Sequence, residues 1–160
     1  MKIQIRNNIF ETNSSSIHAI CIPTEKNIKY PDTCEFCTDQ YGWGPSIENN
    51  VGNYLYTALI CLGKENELKK LKELLDSKNI ETFFEDTKSQ DFGSFYIDHD
   101  ESLNEFIDYL FEDDERLLSF LFSKKSKVYI YNDNDDYEAI INDIKEQEKD
   151  NSTEIYYKYN

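Results

Sequence analysis

Residues 102–131 of the 160-residue chain read SLNEFIDYLFEDDERLLSFLFSKKSKVYIY. Apolar residues recur every three to four positions in the first part of this segment, which predicts an amphipathic helix over 103–111. The almost wholly apolar residues 117–122 predict a second, buried helix, and the alternation over 127–131 predicts a strand. Helices and strands that follow one another in this way favour an α+β fold.

The rest of the chain extends the same pattern outward from this segment. Strands are predicted over 2–6, 17–22, 80–84 and 94–97, and helices over 51–62, 68–79 and 137–144. Residues 24–48 are predicted to form a long irregular loop, and residues 153–160 an edge strand or a tail. We therefore expect one compact α+β domain over 1–160, with a mixed or antiparallel sheet and four to five helices.

The composition excludes several classes of protein. Aromatic residues make up 14% of the chain, which is too many for a disordered acidic tail, and no apolar run is long enough to span a membrane. The formal net charge of -15 disfavours direct binding to nucleic-acid phosphates. The four cysteines in a chain without a signal-peptide pattern favour reduced thiols, so we expect a cytoplasmic protein in a bacterial host cell.

The negative charge is concentrated in the second half of the chain. Residues 81–160 hold 22 acids and 8 bases, and residues 85–115 hold twelve acids and one base. Carboxylates at helical spacing here predict a surface that binds a basic partner, although a merely solvated face is the alternative. The candidate contacts are Glu101, Glu105, Asp108, Glu112, Asp113, Asp114 and Glu115.

The tripeptide Asp98-His99-Asp100 is a candidate catalytic or metal site. At a strand end its two carboxylates would share one face and bind a hard cation, with His99 on the other face. His18 would complete the site if its strand were adjacent, and the hydroxyls of Ser14–Ser16 could position a phosphate or a nucleophile. An ordinary helix cap is the alternative for this Asp pair.

Two further motifs contain side chains of types that can bind metal ions. Cys34 and Cys37 form a C-x-x-C pair, but a structural zinc site needs four ligands. A redox pair and incidental loop thiols are the alternatives. Residues 132–136 (NDNDD) lack the glycine and glutamate of a calcium loop, so we expect a turn in which Asp136 caps the next helix. We predict no cofactor.

The segment from Arg6 to His18, RNNIFETNSSSIH, resembles the opening of small proteins encoded by bacteriophages and mobile elements of low-GC Gram-positive bacteria. Shorter segments at 41–44, 54–58 and 96–99, and the apolar helix before an NDN turn, are similar to the same group. The resemblance implies a phage-type setting and no particular mechanism.

Three functions follow from these features. The first is an acidic inhibitor that occupies the basic nucleic-acid channel of a host defence nuclease, a CRISPR effector among others, as anti-CRISPR proteins do. The second is a metal-dependent phosphoester or nucleotide hydrolase that uses His18, Asp98, His99 and Asp100. The third is a non-enzymatic interaction protein with aromatic anchors in the 24–48 loop. We favour the first.

Overall fold

The computed structural model describes residues 2–4, 16–42, 44–91, 93–132 and 137–159. Its strands are β1 (Lys2–Gln4), β2 (Ser16–Pro23), β3 (Thr33–Phe36), β4 (Gln40–Tyr41), β5 (Ser46–Glu48), β6 (Glu81–Phe84), β7 (Tyr96–Ile97), β8 (Lys127–Asn132) and β9 (Thr153–Lys158). Its α-helices are α1 (Val51–Cys61), α2 (Glu65–Ser77), α3 (Asn104–Phe111), α4 (Asp114–Phe122) and α5 (Glu138–Lys149), and a 3-10 helix spans Asp100–Leu103. Within the described ranges, no helix is long and apolar enough to cross a membrane.

A five-stranded mixed sheet organises the fold, with strand order β1-β9-β2-β8-β5. The central strand β2 runs antiparallel to both of its neighbours, β9 and β8, whereas β1 runs parallel to β9. Two small parallel pairs, β3 with β6 and β4 with β7, lie outside this sheet. The predicted α+β class is confirmed.

Helices cover both faces of the large sheet. Because successive strand residues point to opposite faces, Ile20 and Ile22 of β2 join the larger core with residues of α1 to α4. Ala19 and Cys21 join a smaller core on the other face, against Ile144 of α5. Every residue of β2 is therefore buried, which explains why this strand is a near-continuous apolar run.

Side-chain caps fix the starts of two helices that border the candidate site. The side chain of Asn50 accepts a hydrogen bond from the backbone N–H of Asn53, so α1 begins there. Asp113 accepts hydrogen bonds from the backbone N–H groups of Glu115 and Arg116 at 2.9 and 3.1 Å. Each such cap stabilises its helix by about 1 kcal/mol, and the second separates α3 from α4.

The predicted irregular loop over 24–48 is wrong, because β3, β4 and β5 lie within it. The strands are two to four residues long, and β3 and β4 pair with segments that follow much later in the chain. Phe36 of β3 is fully buried and stacks on Phe84 of β6, with ring centroids 4.7 Å apart. Long-range pairing therefore orders a segment in which no local pattern is strong.

Other boundaries also differ from the predictions. Residues 153–158 form a strand as predicted, but β9 lies between β1 and β2 and is therefore not an edge strand. The strand predicted over 94–97 is limited to Tyr96–Ile97, and α5 continues to Lys149 through polar residues that carry no apolar signal. The predictions for residues 5–15 and for Asp136 as a cap fall outside the described residues.

Candidate functional site

Four polar side chains form a continuous hydrogen-bonded chain, here called the polar chain, between the sheet and the loop after β7. The oxygen Oγ of Ser16 lies 3.0 Å from Oδ2 of Asp98 and 3.1 Å from Nε2 of His18. The other ring nitrogen of His18, Nδ1, lies 2.7 Å from the hydroxyl oxygen of Tyr54. The structure therefore brings together His18 and Asp98, two predicted site residues 80 positions apart in the sequence.

The local folds explain this arrangement. Ser16 and His18 are two residues apart in β2, so their side chains leave the same face of the sheet. Tyr54 comes from α1, which packs on that face, and Asp98 comes directly after β7. Gly42 lets Asp98 approach β4, since a Cβ atom on Gly42 would lie 2.2 Å from Cβ of Asp98.

The chemistry of the four groups determines which group donates each hydrogen bond of the polar chain. A carboxylate only accepts hydrogen bonds, so the single hydroxyl proton of Ser16 is donated to Asp98. Oγ of Ser16 then accepts a hydrogen bond from Nε2–H of His18, and the unprotonated Nδ1 accepts one from the hydroxyl of Tyr54. This sequence of donors assigns a neutral His18 with its proton on Nε2.

Burial explains why His18 stays neutral. His18 and Tyr54 are both 0% exposed, and Ser16 is 5% exposed. Desolvation, with the positive charge of Lys158 as a second cause, holds the pKa of His18 well below its usual range. The imidazole of His18 therefore has no contact with solvent, and it acts on the loop only through Ser16.

Lys158 is a buried cation beside the polar chain. It is the register partner of His18 on the adjacent strand β9, and it is 1% exposed. Burial lowers the pKa of Lys158 to about 8, although the carboxylates of Asp98 and Asp100 act in the opposite direction. The charge of Lys158 thus partly balances the carboxylates of the loop.

The loop after β7 presents His99 to solvent. Asp98 is 23% exposed at its side chain and His99 is 56% exposed, and Nε2 of His99 lies 3.6 Å from Oδ1 of Asp98. The backbone of His99 is left-handed, with φ of 50°, and Asp100 begins the 3-10 helix. The prediction that His99 faces away from both carboxylates is wrong for Asp98, because the left-handed residue ends the alternation of the strand.

The predicted partner contacts belong to consecutive helical segments. These seven residues, Glu101, Glu105, Asp108, Glu112, Asp113, Asp114 and Glu115, are named the acidic strip. All seven are exposed, whereas Leu103, Phe106, Ile107 and Leu110, which alternate with them, are fully buried. From Glu101 to Glu112 the strip follows helical spacing over about 17 Å, at about 1.5 Å per residue.

Few cations neutralise the acidic strip. Among the described residues, Asp108 is its one member with an ion pair, a long contact of 3.9 Å to Nζ of Lys64. Arg116 lies close to the strip, but its guanidinium packs 3.7 Å from the ring centroid of Tyr109 and donates a hydrogen bond to the carbonyl of that residue. Most of the charge of the strip is therefore available to a partner.

Cys34 and Cys37 point in different directions. Cys34 packs against the larger core, whereas Sγ of Cys37 lies 3.7 Å from a carboxylate oxygen of the exposed Glu35. Burial raises the pKa of both thiols, which disfavours the thiolate that binds zinc. Within the described ranges, no group of three or more His, Cys, Asp or Glu side chains could hold a metal ion.

Sequence reasoning missed three residues that shape this site. Tyr54 was expected only as an apolar core residue of a helix, because periodicity does not indicate where a hydroxyl group points. Lys158 lies in the segment expected to be a tail or an edge strand, and Gly42 acts through one close contact with Asp98. Each depends on the tertiary fold, and none carries a local signal.

Comparison of the chain with protein-family models, with curated proteins and with solved structures finds no match. Its function is therefore inferred from the chemistry of its own residues.

Proposed function

We propose that this protein is an acidic inhibitor that binds the basic nucleic-acid channel of a host defence nuclease, a CRISPR effector among others. The observation that carries the proposal is the acidic strip, seven exposed carboxylates of which only Asp108 has an ion pair among the described residues. The setting would be the cytoplasm of a bacterial host, in keeping with the phage-type resemblance of residues 6–18.

The charge density of the strip supports this proposal. One strand of a DNA duplex carries a phosphate about every 3.4 Å along the helix axis, or about five phosphates over 17 Å. The strip places four carboxylates over the same length, from Glu101 to Glu112, and three more at 113–115. A channel lined with Lys and Arg would therefore meet nearly the charge of one nucleic-acid strand.

Competition for such a channel has a clear physical basis. The lysines and arginines of the partner release counterions when they bind a polyanion, and the carboxylates of the strip can take the place of phosphates in that exchange. Carboxylates at positions i, i+3 and i+4 lie about 5–6 Å apart on a helix, so several can engage one basic groove together. The interaction should weaken strongly with salt, since exposed charges are screened.

The test is capture of the partner from a bacterial host lysate at about 50 mM and about 200 mM salt. The strip variant is E101Q/E105Q/D108N/E112Q, and the control variant neutralises four exposed carboxylates elsewhere, as E65Q/D76N/E138Q/E146Q. Both variants change the net charge equally. We expect the strip variant alone to lose the partner, and binding of the unaltered protein to fall at least about tenfold at higher salt.

Two results would contradict the proposal. One is an affinity that stays constant between the two salt concentrations, because a polyanion mimic depends on screened charges. The other is an equal loss of binding in the strip and control variants, which would indicate a general charge effect. A captured partner should also be displaced from the strip by added single-stranded or duplex nucleic acid.

A further inference from the structure

We propose that Asp98 and His99 form a general acid–base pair for a neutral or cationic carbonyl substrate. His99 is the reactive group, and Asp98 is the positioning residue. This proposal does not depend on the acidic strip or on the inhibitor function. It rests on three observations: the backbone conformation of His99, the contacts that hold Asp98, and the different partners of the two Asp98 carboxylate oxygens.

The backbone of His99 adopts a conformation that is energetically unfavourable for an L-residue. Its φ of 50° is left-handed, and the other described non-glycine residues with positive φ are Asn27 and Asn79. Asn tolerates this region because its short side chain can bond locally, and Asn79 follows the end of α2. At position 99 a glycine would fit more easily, yet the chain carries an exposed imidazole there.

Asp98 is held from several directions. Its backbone N–H donates a hydrogen bond of 2.8 Å to the carbonyl of Tyr41, and its Cβ packs against Gly42. Oδ2 accepts hydrogen bonds from the hydroxyl and the backbone N–H of Ser16, at 3.0 and 3.5 Å. Ser16 is in turn held by the fully buried His18. A carboxylate with this much support has one orientation.

The two oxygens of Asp98 have different partners. Oδ2 is held by Ser16, whereas Oδ1 faces Nε2 of His99 at 3.6 Å. A carboxylate in this position favours the tautomer of His99 with its proton on Nε2, which leaves Nδ1 as a base or nucleophile. Contacts of catalytic groups are often long without substrate and shorten when it binds.

The surrounding charges select the substrate. The carboxylate of Asp98 lies 3.6 Å from the imidazole, and Asp100 follows it in the chain. This local negative charge repels phosphate esters, so a neutral or cationic carbonyl compound is favoured. With an ester as the substrate, Nδ1 acts as a general base and takes a proton from water while the water oxygen bonds to the carbonyl carbon. The proton then passes to the leaving oxygen as the bond between that oxygen and the carbon breaks.

Diethyl pyrocarbonate tests the reactivity of His99, and His18 serves as an internal control. Nδ1 attacks a carbonyl carbon of the reagent, and the bond from that carbon to the bridging oxygen breaks. The acylated ring loses its Nε2 proton, and the released ethyl carbonate takes up a proton and decomposes to ethanol and carbon dioxide. The chain contains two histidines, and the buried His18 stays unmodified as long as the protein is folded. Mass spectrometry of the full chain at pH 8 follows each histidine separately.

We expect His99 to react several-fold faster than N-acetylhistidine, and to fall to about that rate in Asp98→Asn. Ser16→Ala should give an intermediate rate, because the carboxylate keeps its charge but loses one support. The proposal is overturned if His99 reacts no faster than N-acetylhistidine, or if Asp98→Asn leaves its rate constant unchanged while His18 remains protected.

A second measurement tests the substrate class. Hydrolysis of p-nitrophenyl acetate, a neutral ester, should fall at least about fivefold in His99→Gln and stay unchanged in Glu138→Gln, an exposed residue outside both sites. The anionic p-nitrophenyl phosphate should not be hydrolysed. His99→Gly should also lose the esterase rate while its thermal midpoint rises or stays constant. An esterase rate in His99→Gln equal to that of the unaltered protein would overturn the assignment.

Discussion

Mild acidification should destabilise the protein through His18. The folded protein holds His18 neutral, because burial keeps its pKa well below the ordinary value of 6.5, whereas the unfolded chain protonates near that value. Below pH 6.5 the unfolded state therefore binds one more proton than the folded state. The free energy of unfolding then falls by about 1.4 kcal/mol for each pH unit.

The size of the effect follows from one proton. One proton limits the loss between pH 6.5 and pH 5 to at most about 2 kcal/mol. Glu85 and Asp150 also have lowered pKa values, but their ordinary values of 4.5 and 3.8 place their contributions at lower pH. The interval from pH 5 to pH 6.5 therefore isolates His18 from these two carboxylates.

Urea denaturation followed by circular dichroism, at half-unit steps from pH 5 to pH 7.5, measures this slope. His99→Gln is the matched control, because it removes the exposed histidine and keeps the buried one. His18→Gln should remove the slope even if it lowers stability at every pH, so the slopes are compared and not the absolute values. A flat profile in the unaltered protein, or a slope that disappears in His99→Gln, would refute the reasoning.

Three other perturbations have expected outcomes in urea denaturation at pH 7.5. Tyr54→Phe removes the hydroxyl that donates to the buried Nδ1 of His18, so it should cost about 1–3 kcal/mol, and a loss below about 0.5 kcal/mol would contradict the polar chain. Gly42→Ala should cost more than Gly44→Ala, since both have positive φ but only Gly42 would place its Cβ against Asp98; equal costs would argue against the close contact. The strip variant E101Q/E105Q/D108N/E112Q should gain about 1 kcal/mol of folding free energy. It removes three like-charge contacts at helical spacing, and each such contact costs about 0.2–0.5 kcal/mol. A loss of stability would show that the carboxylates of the strip do not repel one another.

The elements with strong local patterns could be predicted from the sequence. The helices around 103–111 and 117–122 have clear apolar periodicity, and the acidic strip follows from the same spacing seen on the other side of the helix. The strand at 17–22 is apolar and β-branched, so its type is evident, and the structure extends it by one residue at each end. In these cases, local sequence and tertiary packing favour the same structure.

The parts that depend on long-range pairing could not be predicted. β9 lies inside the sheet only because β1, at the other end of the chain, pairs with its free side. The short strands β3 and β4 have partners 48 and 56 residues further along the chain, as in the pairs Thr33 with Glu81 and Gln40 with Tyr96. No window of sequence contains both members of such a pair, so the irregular composition of 24–48 was misleading.

The candidate site also contains some residues that the sequence indicates and others that only the tertiary fold brings together. His18, Asp98 and His99 could be singled out because His and Asp are chemically reactive residue types, but the hydroxyl groups that connect them were not assigned. Ser16 was considered only as part of a hydroxyl-rich loop, and Tyr54 only as part of a helix face. Their roles appear when α1 packs on the sheet and brings the Tyr54 hydroxyl within 2.7 Å of Nδ1 of His18.

Residues 98–115 contain several features that reduce stability, in a protein whose cores are otherwise well packed. His99 has a left-handed backbone, the acidic strip places like charges side by side, and Asp98 depends on a polar chain that has to be kept satisfied inside the core. A domain that only had to fold could replace each of these with a glycine, with mixed charges or with apolar residues. Local violations of this kind typically occur where a protein acts on something else, because binding and catalysis require groups that folding alone would not place there. We therefore expect glycine at His99, and neutral residues at Glu101, Glu105, Asp108 and Glu112, to remove function without destabilising the protein. Substitutions of the apolar core, such as Phe36→Ala, should cost about 3–5 kcal/mol of folding free energy.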